Sequence, residues 1–174
     1  MDPKGIQAYQ ALLRDRLVAG DQRAAVKACE EFELDHGGLL EPATMLPFYR
    51  VQFMSYLLDD LVNARWLWER MPPEIKEDSE VVAVWGVAQH LWKHELAAGY
   101  TLILKSSWTE PLASLSLVLV EGMRARNLKL IADSHSTIAV DDCAAMLGLP
   151  VPDAVTRCKG LGWKEEGGFL RPVA

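Results

Sequence analysis

Two histidines four residues apart, His90 and His94, would project from one side of a helix, the spacing a metal site needs. The segment His90-Leu91-Trp92-Lys93-His94-Glu95 lacks the glutamate that the HExxH zinc motif holds between its histidines, and no third ligand follows nearby. His94 is therefore read as the C-terminal end of a helix, where a cationic ring suits the partial negative charge. Asp59-Asp60 and Asp141-Asp142 could supply paired carboxylates for acid–base work. Adjacent helical residues diverge by about 100°, however, and each pair stands just before an apolar-periodic helix, which makes capping the simpler role. Cys29, Cys143 and Cys158 are odd in number, have no CxxC spacing, and lie among apolar neighbours, so they read as reduced core thiols. No P-loop, GxGxxG or GxSxG occurs. On this reading there is no catalytic, cofactor-binding or metal-binding residue, and no cofactor is called for.

The elements that would position any site are helical over most of the chain. From Gln7 to Arg126 apolar residues recur at helical spacing. Tyr9, Leu12, Leu13 and Leu17 form one stripe, Gly20 a turn, and Asp21 an N-cap for a second helix with Ala25, Ala28, Cys29 and Phe32 inward. His36-Gly37-Gly38 ends it. Leu46, Tyr49, Phe53 and Leu57 mark a third helix, and Asp59-Asp60 opens a fourth with Ala64, Leu67, Trp68 and Met71 buried, stopped by Pro72-Pro73. A fifth spans about 79–93, a sixth 95–105, and a seventh starts near Glu110 with Pro111 at its first position. Small residues at Ala25, Ala64 and Gly99 echo a helix-pair repeat of the tetratricopeptide or HEAT kind, in which each pair buries its face against the next.

After Asn127 the pattern changes. A short helix, 128–134, is expected to give way to a strand over Ser136–Val140, with Asp141 capping a two-turn helix that stops at Gly148. A further helix ends at Gly160 to Gly162, and Trp163-Lys164 with Phe169-Leu170-Arg171 flank a Gly-bearing turn over Glu165–Gly168. Strand, helix, turn, helix, hairpin is the order of a winged helix. The expected organisation is a mainly α chain, with a helical repeat region over 1–126 and a winged-helix subdomain with a small antiparallel β-sheet over 127–174.

Composition narrows the class. In 174 residues, half hydrophobic and 24% charged, the formal charge is −6, so the chain suits a globular fold and not a general binder of nucleic acid or anionic membrane. At this length roughly 70% of the unfolded surface can be buried without a disulfide or metal staple. The first ten residues carry no secretory signal pattern, and the most apolar stretch, Pro111–Val120, is shorter than the ~20 residues of a membrane span. An intracellular, soluble chain is the expectation. The winged helix raises duplex binding through residues 152–161, but 127–174 holds five basic against six acidic residues and its wing reads Glu165-Glu166, which phosphates would repel. Six tryptophans are many for a helical chain. Most are read as packing between helices. Trp66 projects away from the Ala64, Leu67, Trp68, Met71 stripe and is a candidate partner contact.

Helix pairs feeding a winged helix resemble the PCI-domain family. Within it, Asn63 to Lys76, Trp85 to Trp92, Gly99-Tyr100, Ser107-Trp108, Ser136-Thr137-Ile138, Asp141-Asp142, Leu147 to Pro150 and Gly162-Trp163 resemble the family of subunit eight, the smallest, of the COP-9 signalosome, in the same order. The likeness covers roughly 60–163, and the first fifty residues match only as helices. Glu69 stands where that family usually carries a basic residue. The resemblance implies a non-catalytic scaffold in the complex that removes Nedd8 from cullins and so regulates cullin–RING ubiquitin ligases, with nuclear and cytoplasmic location. It implies other PCI-type signalosome subunits as partners, and neither membrane nor nucleic acid. Winged helices of the family pack through their strands, so Ile138, Val140, Phe169, Leu170 and Arg171 become candidate sheet-edge contacts. C-terminal helices of the family gather in a bundle, and the eleven residues after Trp163, with Pro172 among them, are too few for one. The alternatives are the related small subunit of the proteasome lid or of a translation initiation factor, and a winged-helix nucleic-acid binder.

Overall fold

A computed structural model describes residues 3–36 and 38–173. Helix α1 (Pro3–Val18) turns at Gly20 into α2 (Gln22–His36). Gly20 takes φ 72°, a conformation cheap only for glycine, while its N–H and that of Asp21 close back on the carbonyls of Leu17 and Arg16. Asp21 Oδ1 accepts the N–H of Ala24 at 3.0 Å, the expected cap. Gly37, half of the expected stop after α2, lies outside the described residues.

Helix α3 (Pro42–Asp59) is the axis of the helical layer. From Val51 to Leu58 every side chain is buried, which a helix sustains only when neighbours cover it on all sides. Here α2, α4 (Leu61–Arg70), α6 (Ser79–Trp92) and α8 (Leu112–Ser134) do so. Asp60 caps α4 by accepting the N–H of Asn63, and Asp78 caps α6 by accepting that of Val81. Pro72-Pro73 ends α4 as expected, and the same Pro73 also starts a one-turn helix, α5 (Pro73–Lys76), since proline suits a first helical turn. Ala25 and Ala64 are fully buried where helices meet. At Gly99 an added Cβ would make only ordinary contacts, with Leu91 at 3.6 Å and His90 at 3.7 Å. Within the helical layer the tighter glycine contacts fall elsewhere: a Cβ at Gly86 would lie 2.9 Å from Leu102, and one at Gly122 would lie 2.6 Å from Leu58.

Between α6 and α7 (Leu96–Lys105), His94 adopts φ 57°. Its N–H reaches the Leu91 carbonyl and the N–H of Glu95 reaches that of His90, so a histidine occupies the left-handed stop usually held by glycine. Pro111 is the N-cap of α8, one residue earlier in role than expected. The expected break at Asn127 is absent: α8 runs unbroken through it. Asn127 is buried, and its Nδ2 donates to the Met146 carbonyl at 2.8 Å and to the Tyr100 hydroxyl at 3.3 Å. Its side chain is thereby drawn away from the competing local bonds that make asparagine a helix breaker.

The C-terminal part is α9 (Val140–Leu147), α10 (Val151–Gly160) and a three-stranded antiparallel sheet, β1 (Ile138–Ala139), β2 (Lys164–Glu166) and β3 (Phe169–Arg171), in the order β1-β3-β2. Ile138 pairs with Leu170 and Glu165 with Leu170 from the other side. The first strand is shorter than expected. Val140 is the first residue of α9 and its N–H still reaches the Gly168 carbonyl, while Ala139 is the N-cap. Asp141 and Asp142 therefore sit inside the first turn, where carboxylates favour the positive end of the helix dipole. The turn is also tighter than expected. Glu165 and Glu166 belong to β2, and only Gly167 (φ 59°) and Gly168 (φ 83°) form the loop, as a two-residue hairpin with positive φ at both positions requires.

The whole is mainly α, a helical layer followed by a winged helix with a small antiparallel sheet. Its apolar interior falls into two clusters, one from Leu13 to Met123 and one from Leu128 to Leu170, and α8 contributes to both. Among the described residues no helix is long and apolar enough to cross a membrane.

Candidate protein-interaction surfaces

The sheet fixes where a partner strand could add. Because β3 lies between β1 and β2, its backbone is already paired on both sides. Phe169, Leu170 and Arg171 are thus not edge residues, contrary to the expectation. Leu170 and Ile138 face inward and are buried in the second core. Val140 is half-buried at the start of α9 and Arg171 is exposed, 3.8 Å from Glu166. The outer sides of β1 and β2 are the sheet's two edges, so the residues that present free backbone are Ile138–Ala139 and Lys164–Glu166. The difference arises because the order of strands along the chain does not reveal which hairpin strand the distant β1 joins. Phe169 remains a surface feature by its ring, 52% exposed on the solvent face of β3.

Trp66 is 60% exposed on α4, one turn from Val62 at 66%, while Ala64 and Leu67 on the opposite face are fully buried. The exposed pair sits at i, i+4 on one helix face. The two candidate surfaces, α4 and the sheet, belong to different apolar clusters joined by α8.

That joint is built with unusual care for backbone groups. The carbonyls at the end of α9 lack intrahelical partners. Arg124, on α8, donates from Nε to the Leu147 carbonyl at 3.0 Å and from a terminal nitrogen to the Gly148 carbonyl at 3.3 Å, and Asn127 takes that of Met146. Gly148 (φ 58°) lets the turn settle on Tyr100 of α7, where an added Cβ would lie 2.3 Å from the ring. Glu121 receives Arg157 of α10 at 2.8 Å and Arg124 at 2.7 Å, and the two guanidiniums hold its carboxyl below the usual range. Tyr100, pushed up mainly by burial, stays a neutral phenol in that joint.

The same contacts use up the basic residues of α10. Arg157 is bound to Glu121, and Lys159 lies 2.6 Å from Glu165 on β2. Both charges of the helix that would read a duplex are thus paired with carboxylates of its own chain. His90 Nδ1 lies 2.7 Å from Glu95 Oε2, and His94 stands in the turn beyond. Among the described residues no group of three or more His, Cys, Asp or Glu is placed to hold a metal. Cys29, Cys143 and Cys158 are buried, and burial pushes the first two thiols up to about 12, where thiolate is scarce. Sequence reasoning missed that Cys143 and Cys158 meet, Sγ to Sγ 3.7 Å, across α9 and α10. It also missed the Arg124–Asn127 pair, an i, i+3 couple that nothing sets apart from Glu121, Arg126 and Lys129 around it.

Comparison with known proteins places this fold in a set of relatives. The family model described as CSN8/PSMD8/EIF3K family matches residues 43–171, from α3 through the hairpin. A protein of Xenopus laevis named COP9 signalosome complex subunit 8 is 35% identical over 149 residues, 83% of this chain and 74% of that protein. The subunit of the same name from Danio rerio is 33% identical over 75% of this chain and 67% of its own length. That from Arabidopsis thaliana is 35% identical over 66% of this chain and 59% of its own length.

Proposed function

The chain belongs to the CSN8/PSMD8/EIF3K family, and on that premise we propose that it is a non-catalytic scaffold subunit of a COP9 signalosome. The observation that carries the reading is the likeness over most of the chain to proteins of that name, with the family match running through the winged helix, in a chain whose sheet leaves β1 and β2 each with one unpaired side. Strand edges supply regularly spaced donors and acceptors, so a neighbouring PCI-type subunit gains main-chain bonds by adding a strand. Trp66 and Phe169 add large exposed rings of the kind that concentrate binding energy in a small area. On this reading the assembly acts on Nedd8-bearing cullins through another subunit, the present chain reaches cullin–RING ligases only indirectly, and its place is the nucleus and cytoplasm.

A tagged chain purified from native extract should bring down PCI-type partner subunits together with activity that releases Nedd8 from cullin. Phe169→Ala and Trp66→Ala, both at exposed positions, should lower partner recovery without changing the far-UV circular dichroism. Recovery of a proteasome lid or a ribosome-bound initiation factor instead would overturn the assignment in favour of the other two branches of the family.

A further inference from the structure

The helical layer holds a second surface that the winged-helix reading leaves unused. Between α4 and α6 lies a cleft of about 370 Å³ lined by Arg65, Glu69, Trp85, Gln89, Trp92 and Lys93. Its floor is aromatic. Trp68 stacks on Trp85 with ring centres 4.5 Å apart, and Trp92 meets Trp85 edge to face at 5.2 Å and 76°. Two indoles set nearly at right angles form a notch whose walls are π faces, open enough that both rings remain only half-buried.

The polar groups of the notch are unspent. Trp108 donates its indole N–H to the Ile103 carbonyl at 2.8 Å, whereas those of Trp85 and Trp92 meet no acceptor among the described residues. Neither is sealed away: Ser55 Oγ is the one fully buried side-chain polar atom without a partner among the described residues. Two donors opening to solvent beside aromatic faces match a ligand backbone that carries free carbonyls. A polyproline II segment is such a ligand, since it has no internal hydrogen bonds and its rings stack on indoles.

Charge defines the ligand further. Arg65 and Lys93 have no carboxylate within ion-pair distance among the described residues, although Arg50, Arg70, Arg124, Arg157 and Lys159 are each paired. Lys76 sits 5.4 Å over the Trp68 ring and donates to the Glu69 carbonyl. Against the two cations that line it, Arg65 and Lys93, the cleft sets one carboxylate, Glu69, which can accept a peptide N–H. A chain of net charge −6 thus carries a local positive notch. We propose that the α4–α6 cleft binds an extended, proline-bearing segment of a partner protein flanked by acidic residues.

The test uses the full chain, a blocked acidic octapeptide with a central Pro-x-x-Pro, and two controls: the same peptide with alanine for proline, and with lysine for the acids. The acidic proline peptide should shift the indole N–H resonances of Trp85 and Trp92 in a saturable way and weaken with added salt. Arg65→Glu with Lys93→Glu should weaken it about tenfold, the scale of two exposed charge contacts reversed. Trp92→Phe, which keeps a ring and removes a donor, should also weaken it. No indole shift at millimolar peptide would overturn the proposal. So would equal binding of the alanine or lysine peptide, salt-independent affinity, or no effect of the double charge reversal.

Discussion

At the scale of single residues, carboxylates held by arginines tie the helices of the layer together. Glu33 on α2 accepts Arg70 of α4 at 2.7 and 2.9 Å and also takes the hydroxyl of Tyr49 on α3. Burial works to raise its carboxyl, but the hydrogen bonds and charge of Arg70, helped by Gln52 and Tyr49, outweigh that and hold it below the ordinary 4.5. Asp78, forked by Arg50 of α3, is likewise held below 3.8 against the raising effect of burial. A carboxyl whose folded pKa is depressed binds fewer protons folded than unfolded, so it stabilises above the unfolded value and loses that contribution as pH falls through the folded one. Stability should therefore be flat above about pH 5 and fall steadily below it. Glu33→Gln should be less stable at pH 7 yet lose less on acidification, which urea midpoints at pH 6 and pH 3 would reveal. Parallel midpoint losses in the two proteins would mean that Glu33 carries no part of the acid sensitivity.

At the scale of elements, the close seat of the α9–α10 turn on α7 rests on the absence of one side chain. Gly148 is in the left-handed region, and the space a Cβ would take is filled by Tyr100, which is itself fully packed. Gly148→Ala must accept both the strained φ and an overlap that neither backbone nor ring can relieve cheaply. The expected loss is about 3 kcal/mol, adding a left-handed penalty to overpacking. Chemical denaturation measures it, and a loss under 1 kcal/mol, within about the cost of the φ alone, would show that the turn is not seated on Tyr100. The stop at Gly148 was legible in the sequence because a glycine after an apolar-periodic turn has a local signature. So were the caps at Asp21 and Asp60 and the Pro72-Pro73 stop. The continuity of α8 was not, because the acceptors that hold the Asn127 side chain lie on α7 and α9, which no local pattern contains. The central place of β3 was hidden for the same reason. Ile138 and Phe169 lie 31 residues apart, and nothing near either records that they share a ladder with β3 in the centre. Trp66 could be read from helical phase alone, whereas the cleft of Trp85 and Trp92 needed α4 and α6 side by side.

At the scale of the whole molecule, two apolar clusters share one helix, and a polar joint adds to the seat of the α9–α10 turn on Tyr100. Helix α8 lends Leu112 to Met123 to the first cluster and Leu128 and Ile131 to the second. A shared helix by itself permits one end to fray while the other stays packed. Arg124 opposes this by capping α9 and bonding Glu121, which also holds Arg157, with its guanidinium 5.8 Å from the centre of the Tyr100 ring. Removing it leaves the Leu147 and Gly148 carbonyls without that donor and Glu121 with one cation fewer, a loss of about 2 kcal/mol concentrated at the joint. The buried thiols report each side separately: Cys29 lies in the first cluster, Cys143 and Cys158 in the second. In the native chain all three should become reactive to a thiol reagent at one urea midpoint, as a single cooperative unit requires. In Arg124→Ala the thiols of Cys143 and Cys158 should open at lower urea than Cys29, with the helical layer still folded by circular dichroism. If all three still open together, coupling resides in the apolar length of α8 and not in its arginine. The orientation of the sheet edges relative to Trp66 would then be set by helix stiffness alone.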